Sequence, residues 1–229
     1  VAAARWGAYH RASATPAAVS PVLHRTRIKI CGLTREEDVR AAVAAGADAI
    51  GFVFYPPSPR YVSFERAAEL ARLVPPFVSI VGLFVNPERD FVREALGKVP
   101  LQVLQFHGDE QETNCVGFGL PYIKAARMRP GLDLLKYAAS FPKAQGLLLD
   151  AFVEGYGGGG ETFDWSLIPS GLPLPLILSG GLNAGNVAEA VRRVRPWAVD
   201  VSSGVEAAKG IKDAARITEF VAGVQNAHG

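Results

Sequence analysis

The chain has 229 residues, with 24 Lys and Arg against 22 Asp and Glu, a formal net charge of +2, and 49% hydrophobic residues. That composition supplies a large core and excludes a mainly disordered chain, while the near-neutral balance argues against a dedicated nucleic-acid binder with a basic stripe. The two cysteines, Cys31 and Cys115, stand in no Cys-x-x-Cys or Cys/His cluster, so neither a disulfide framework nor a structural zinc site is expected.

Residues 1–26 are read as a basic, disordered extension. Arg5, Arg11, Arg25 and Arg27 lie among the first 27 residues with no acid, leaving the remainder at a net charge of −2. The segment lacks a continuous apolar run, so it is not a secretory signal. A cytoplasmic protein is expected, and the acid-free, Arg-containing tail leaves organelle import as the alternative. No membrane span is expected, because the longest uncharged stretch, Trp165 to Ala188, is broken by Pro, Gly, Ser and Asn.

From residue 27 on, short apolar runs alternate with Ala- and charge-rich segments of helical period. Strands are expected at Arg27–Cys31, Ala49–Phe54, Val78–Val85, Val103–Phe106, Tyr122–Ala126, Gly146–Asp150, Leu174–Ser179 and Ala198–Val201. Helices are expected at Arg35–Ala45, Phe64–Leu73, Pro87–Leu96, Glu110–Phe118, Leu132–Ser140, Asp164–Ile168, Asn183–Arg193 and Ile211–Val224. Most strands are continuous apolar runs, as parallel strands buried on both faces require. Eight regular units over residues 27–229 fit a single (β/α)₈ barrel better than an open, doubly wound sheet.

In a barrel the chemistry sits at the C-terminal ends of the strands. The Gly-rich turns Ser179–Gly180–Gly181 and Ser202–Ser203–Gly204 follow strands 7 and 8. Such turns let backbone N–H groups approach an anion at a helix N-terminus, which points to a small phosphorylated molecule as partner. Asn183 is the expected N-cap of the helix that follows. Cys31, ending strand 1, and Asp150, ending strand 6, are the candidate base and acid. A thiolate is a competent base, and a carboxyl among apolar neighbours such as Leu147 and Leu149 suits proton donation. Taken singly, a Cys in an apolar strand fills core and an Asp after a strand serves a turn; their facing each other across one mouth would join them. Arg60, in the stiff loop Pro57–Ser58–Pro59–Arg60–Tyr61, suits a carboxylate held bidentately. His107 is a secondary acid/base candidate. The Gly157–Gly160 run is no phosphate loop, since no Gly-Lys-Ser/Thr follows it, and is read as a flexible loop or lid.

Seven stretches then match one family in order. They are Lys29–Thr34 (KICGLT), Ser58–Val62 (SPRYV), Leu104–Gly108 (LQFHG), Leu147–Asp150 (LLLD), Thr162–Trp165 (TFDW), Ser179–Asn183 (SGGLN) and Asp200–Glu206 (DVSSGVE). Over about residues 27–225 the chain resembles the phosphoribosylanthranilate isomerases of tryptophan biosynthesis. The resemblance implies a (β/α)₈ barrel and an Amadori rearrangement of N-(5′-phosphoribosyl)anthranilate without metal or organic cofactor. It implies Cys31 as general base, Asp150 as general acid, and Arg60 on the anthranilate carboxylate. Gly180, Gly181, Ser203 and Gly204 would hold the phosphate, and Asp200 counts among the substrate-binding residues. Gly159 and Glu161 depart from the family's loop, and Lys209 stands where a Pro is common. A different phosphosugar isomerase and a noncatalytic phospholigand barrel remain the alternatives, and the assembly is expected to be a monomer or homodimer.

Overall fold

The computed structural model describes residues 25–129, 131–151 and 162–227. Residues 1–24 and the Gly157–Gly160 run lie outside them. Arg25 and Thr26, assigned above to the extension, already belong to the barrel. Arg25 pairs with Asp48, and Thr26 Oγ1 donates to Pro196 O at 3.3 Å.

Eight parallel strands close into a ring: β1 (Arg27–Cys31), β2 (Ala49–Val53), β3 (Ser79–Phe84), β4 (Val103–Phe106), β5 (Tyr122–Met128), β6 (Gly146–Ala151), β7 (Leu176–Leu178) and β8 (Ala198–Val201). Among the described residues, seven helices surround or follow them: α1 (Glu36–Ala45), α2 (Phe64–Ala71), α3 (Arg89–Lys98), α4 (Glu112–Cys115), α5 (Leu134–Ala139), α6 (Val187–Val194) and α7 (Ala214–Asn226). The seam is β8 against β1, where Lys29 lies in register with Asp200 and Ile30 with Val201. The expected (β/α)₈ barrel is therefore the fold.

Local chemistry explains the element ends. α1 begins with Glu36, Glu37 and Asp38 against the positive helix N-terminus and stops at Gly46, whose φ of 96° is the left-handed termination glycine allows. Ser63 Oγ caps α2 by accepting from the Arg66 N–H at 3.1 Å. β7 is shorter than expected because Pro175 has no N–H to enter a ladder; only its carbonyl is used, accepting from Leu147 N–H at 3.0 Å.

Four helical expectations change. The segment Glu110–Phe118 keeps only the four residues of α4, because Gly117 and Gly119 take φ of 85° and 76°. Asp164–Ile168 is a single 3₁₀ turn, Trp165–Leu167. Asn183 caps the turn before α6 rather than α6 itself: its Oδ1 accepts from Gly185 N–H at 2.8 Å, and the helix starts at Val187. Ile211 and Lys212 are not helical. They form β10 (Ile211–Lys212), paired antiparallel with β9 (Glu206–Ala208), and Asp213 then caps α7 through Ala215 and Arg216.

Two apolar shells result. Outward-facing strand residues such as Ile28, Ile30, Phe52, Leu104 and Val199 pack under the helices. Inside the ring, Ala125, Leu148, Ile177 and Ala198 form one cluster and Cys31, Val53 and Leu83 another, the latter beneath the C-terminal mouth. An aromatic ladder ties the outer shell together: Phe54 meets Phe64 and Phe84 at 5.1 and 5.3 Å, and Phe84 meets Phe106 at 6.1 Å. Phe84 is fully buried at the centre of this ladder. Phe84→Ala is expected to destabilise the fold by about 3–5 kcal/mol in chemical denaturation, with the loss of one large core side chain.

Candidate active site

A mouth opens at the C-terminal ends of the strands. Its wall includes Cys31, Arg60, His107, Asp150, Gly180, Gly181, Asp200 and Ser203. Every expected site residue except Gly204 thus stands on one surface. Gly204 does not line it. A Cβ there would lie 1.8 Å from Leu182 O, so that glycine allows two loops to pack closely. Gly180 is constrained in a similar way, by Ala151 N at 2.3 Å and Asp150 Oδ1 at 2.9 Å from a notional Cβ. Gly180 and Gly181 take φ of 80° and 65°, where a side chain would be strained.

The period of two along a strand puts Lys29 and Cys31 on the same, inner face of β1. Lys29 Nζ donates to Asp200 Oδ1 at 2.8 Å across the β1–β8 seam, with both side chains buried. Burial pulls the ammonium down, but Asp200 and Cys31 outweigh it and push Lys29 up to about 12. Gly51 makes room for this arrangement: a Cβ there would come within 2.8 Å of Cys31 Sγ and 3.2 Å of Lys29 Cε.

Cys31 is buried at the end of β1. Burial pushes it up, opposed by Lys29, and the net shift is upward. Lys212 adds a second cation that favours the thiolate. It reaches the site from β10, donating to Ser202 O at 3.0 Å and Glu206 Oε1 at 2.9 Å, while Ser202 Oγ donates to Cys31 O at 3.0 Å. Burial holds Lys212 itself below its ordinary value despite Glu206.

Arg60 is buried rather than a solvated loop arginine. Its Nε and Nη2 donate to Glu206 Oε1 and Oε2 at 2.7 and 2.8 Å. This side-on fork leaves the end of the guanidinium, Nη1 with the remaining Nη2 hydrogen, for a second acceptor. The loop is stiffened by Ser58 Oγ, which accepts from Arg60 N–H at 3.1 Å. Opposite, His107 Nε2 lies 3.0 Å from Asp150 Oδ2, and His107 Nδ1 lies 3.0 Å from Gln105 Nε2. The end of β4 is clamped by Lys124, fully buried, whose Nζ donates to Gly108 O at 2.7 Å and Glu110 Oε2 at 3.0 Å.

Lys29, Gln105, Glu206 and Lys212 were not read as site residues from the sequence. Lys29 carried a usable signal, a charge at an inward position of an otherwise apolar strand. Lys212 carried none, because its strand was read as helix. Among the described residues no cluster of His, Cys, Asp and Glu could hold a metal ion, and no helix is long and apolar enough to cross a membrane.

The family model described as N-(5′-phosphoribosyl)anthranilate (PRA) isomerase matches residues 28–223. The N-(5′-phosphoribosyl)anthranilate isomerase of Dechloromonas aromatica is 70% identical over 203 residues, which are 89% of this chain and 98% of that protein. The chain belongs to the phosphoribosylanthranilate isomerase family. Membership makes it an isomerase of tryptophan biosynthesis. The crystal structure of the Thermotoga maritima family member superposes with a TM-score of 0.80 at 43% identity, covering 88% of this chain and 99% of that one. A second family structure, in complex with reduced 1-(o-carboxyphenylamino)-1-deoxyribulose 5-phosphate, has a TM-score of 0.77 at 41% identity, covering 88% and 99%.

The Lys29–Asp200 pair generates a stability prediction. Lys29→Met strands a buried carboxylate and is expected to cost about 3–5 kcal/mol, whereas Lys29→Met with Asp200→Leu should cost markedly less. Because the folded-state value of Lys29 is raised from 10.5 to about 12, its contribution is complete below the lower value and fades as pH climbs through the higher. Denaturation midpoints measured from pH 9 to 12 should fall less steeply in the double variant.

Proposed function

We propose that the chain catalyses the Amadori rearrangement of N-(5′-phosphoribosyl)anthranilate, with Asp150 as general acid and Cys31 as general base. The observation that carries this reading is that both groups line one mouth together with Arg60 and the Gly180–Gly181 turn. The family structure holding a carboxyphenylamino-deoxyribulose phosphate supports the same ligand chemistry here.

In this reading Asp150 gives its proton to the ribose ring oxygen. The bond from that oxygen to C1′ breaks, its electron pair stays on oxygen, and the nitrogen lone pair closes a C1′=N Schiff base. Cys31 thiolate removes the C2′ proton. The C–H pair becomes C1′=C2′ and the C=N pair returns to nitrogen, giving an enolamine. Loss of the enol O–H proton and protonation at C1′ then yield the 2-keto product. Arg60 takes the anthranilate carboxylate on the guanidinium edge that Glu206 leaves open. The backbone of Gly180, Gly181 and Ser203 takes the phosphate, and these remote anchors orient the sugar between acid and base.

Cys31→Ala and Asp150→Ala should each lower kcat at least 10²-fold or so with KM little changed, since the carboxylate and phosphate anchors remain. The assay follows loss of the fluorescence of N-(5′-phosphoribosyl)anthranilate. Burial raises the Cys31 thiol above its ordinary value of 9.0, so kcat/KM in the parent should still be rising with pH in the alkaline range, and the Cys31→Ala variant should lose that rise. Near-parental kcat in both variants would refute the assignment.

A further inference from the structure

The acid carries more apparatus than a lone carboxyl needs. Gln105, on β4 and wholly buried, faces His107 Nδ1 with its amide Nε2 at 3.0 Å. An amide N–H is a donor only, so with the amide in this orientation Nδ1 is called on as the lone-pair nitrogen and the ring proton belongs on Nε2. That N–H points at Asp150 Oδ2, 3.0 Å away. The other amide atom, Gln105 Oε1, is buried without a hydrogen-bond partner among the described residues.

Resting on the reading of Asp150 as the acid, we propose that Gln105 and His107 are positioning residues that select which oxygen of Asp150 carries the transferable proton. His107 Nε2–H occupies Oδ2 as an acceptor, so the acidic proton resides on Oδ1. Oδ1 faces the strand 7 turn: a Cβ on Gly180 would lie 2.9 Å from it, and the absence of that Cβ keeps it accessible from the mouth. Turning the amide over would reverse the logic. Oε1 would accept from Nδ1–H, Nε2 would offer a lone pair, and Asp150 would have to direct its proton at the histidine through Oδ2, away from the substrate. The ring is held for this task from its backbone side. His107 N–H donates to Phe84 O at 2.8 Å, and Gly108, the next residue, is gripped by Lys124 and by Glu110 Oε1 at 3.0 Å.

The test reads the tautomer and the chemistry separately. In protein labelled with ¹⁵N-histidine, the His107 signals, identified by their loss in His107→Gln, should show an unprotonated Nδ1 and a protonated Nε2 at neutral pH. Gln105→Leu should give a mixture of tautomers and lower kcat about tenfold with KM unchanged, the size expected for one misdirected hydrogen bond. His107→Leu should lower kcat at least as far. His107→Gln, whose amide N–H can stand where Nε2–H stood, should recover most of it. A protonated Nδ1 in the parent protein overturns the proposal, as does Gln105→Leu with parental kcat or equal rates in His107→Leu and His107→Gln. Parental kcat in Asp150→Asn would instead overturn the acid assignment beneath it, whatever the tautomer.

Discussion

Closing eight parallel strands into a ring removes every sheet edge and creates an interior that only inward-facing side chains can fill. In this chain the closing seam, β1 against β8, is filled by an ion pair. Lys29 and Asp200 are register partners on the two strands and meet at 2.8 Å. A buried ion pair is a poor source of stability compared with packed hydrocarbon, and it becomes expensive when one member is lost. Its position beneath Cys31 gives it a second consequence: the thiol sits above a fixed cation, in a cleft where charges are weakly screened. Burial still dominates, and the thiol is raised. The site therefore opposes desolvation with two lysines rather than exposing the sulfur to water.

The same economy governs the other anchors. Arg60 could not stand buried at the mouth without a counter-charge, and Glu206 supplies it from the β9–β10 hairpin. The hairpin is fastened to the loops it crosses. Thr34 Oγ1 donates to Gly210 O at 2.6 Å, and Gly210 approaches so near to Pro59 O that a Cβ there would lie 2.7 Å away. Burial raises the Glu206 carboxyl, but Arg60 and Lys212 outweigh it and hold it below its ordinary value. Glu206 thus remains an anion between two cations, and Arg60 keeps one edge directed elsewhere. Across the mouth, Lys124 and Glu110 do equivalent work for the end of β4, from which His107 approaches Asp150.

The sequence by itself determined the barrel, three of its strands to the residue, and which residues gather at its mouth, Gly204 excepted. β1, β4 and β8 begin and end as expected, although Lys29, Gln105 and Asp200 interrupt their otherwise apolar runs. That Cys31, Arg60 and Asp150 gather at the mouth was legible because strand ends and the loops after them open on one face of a barrel. Helix lengths were less legible. In a segment such as Glu110–Phe118, how far the helix runs depends on glycines taking positive φ in the folded chain. Only the tertiary structure decided the polar partners. Lys29 with Asp200, Arg60 with Glu206 and His107 with Asp150 are separated by 171, 146 and 43 residues. No local period encodes such pairings; closure of the ring and the path of one short hairpin bring them within hydrogen-bond reach.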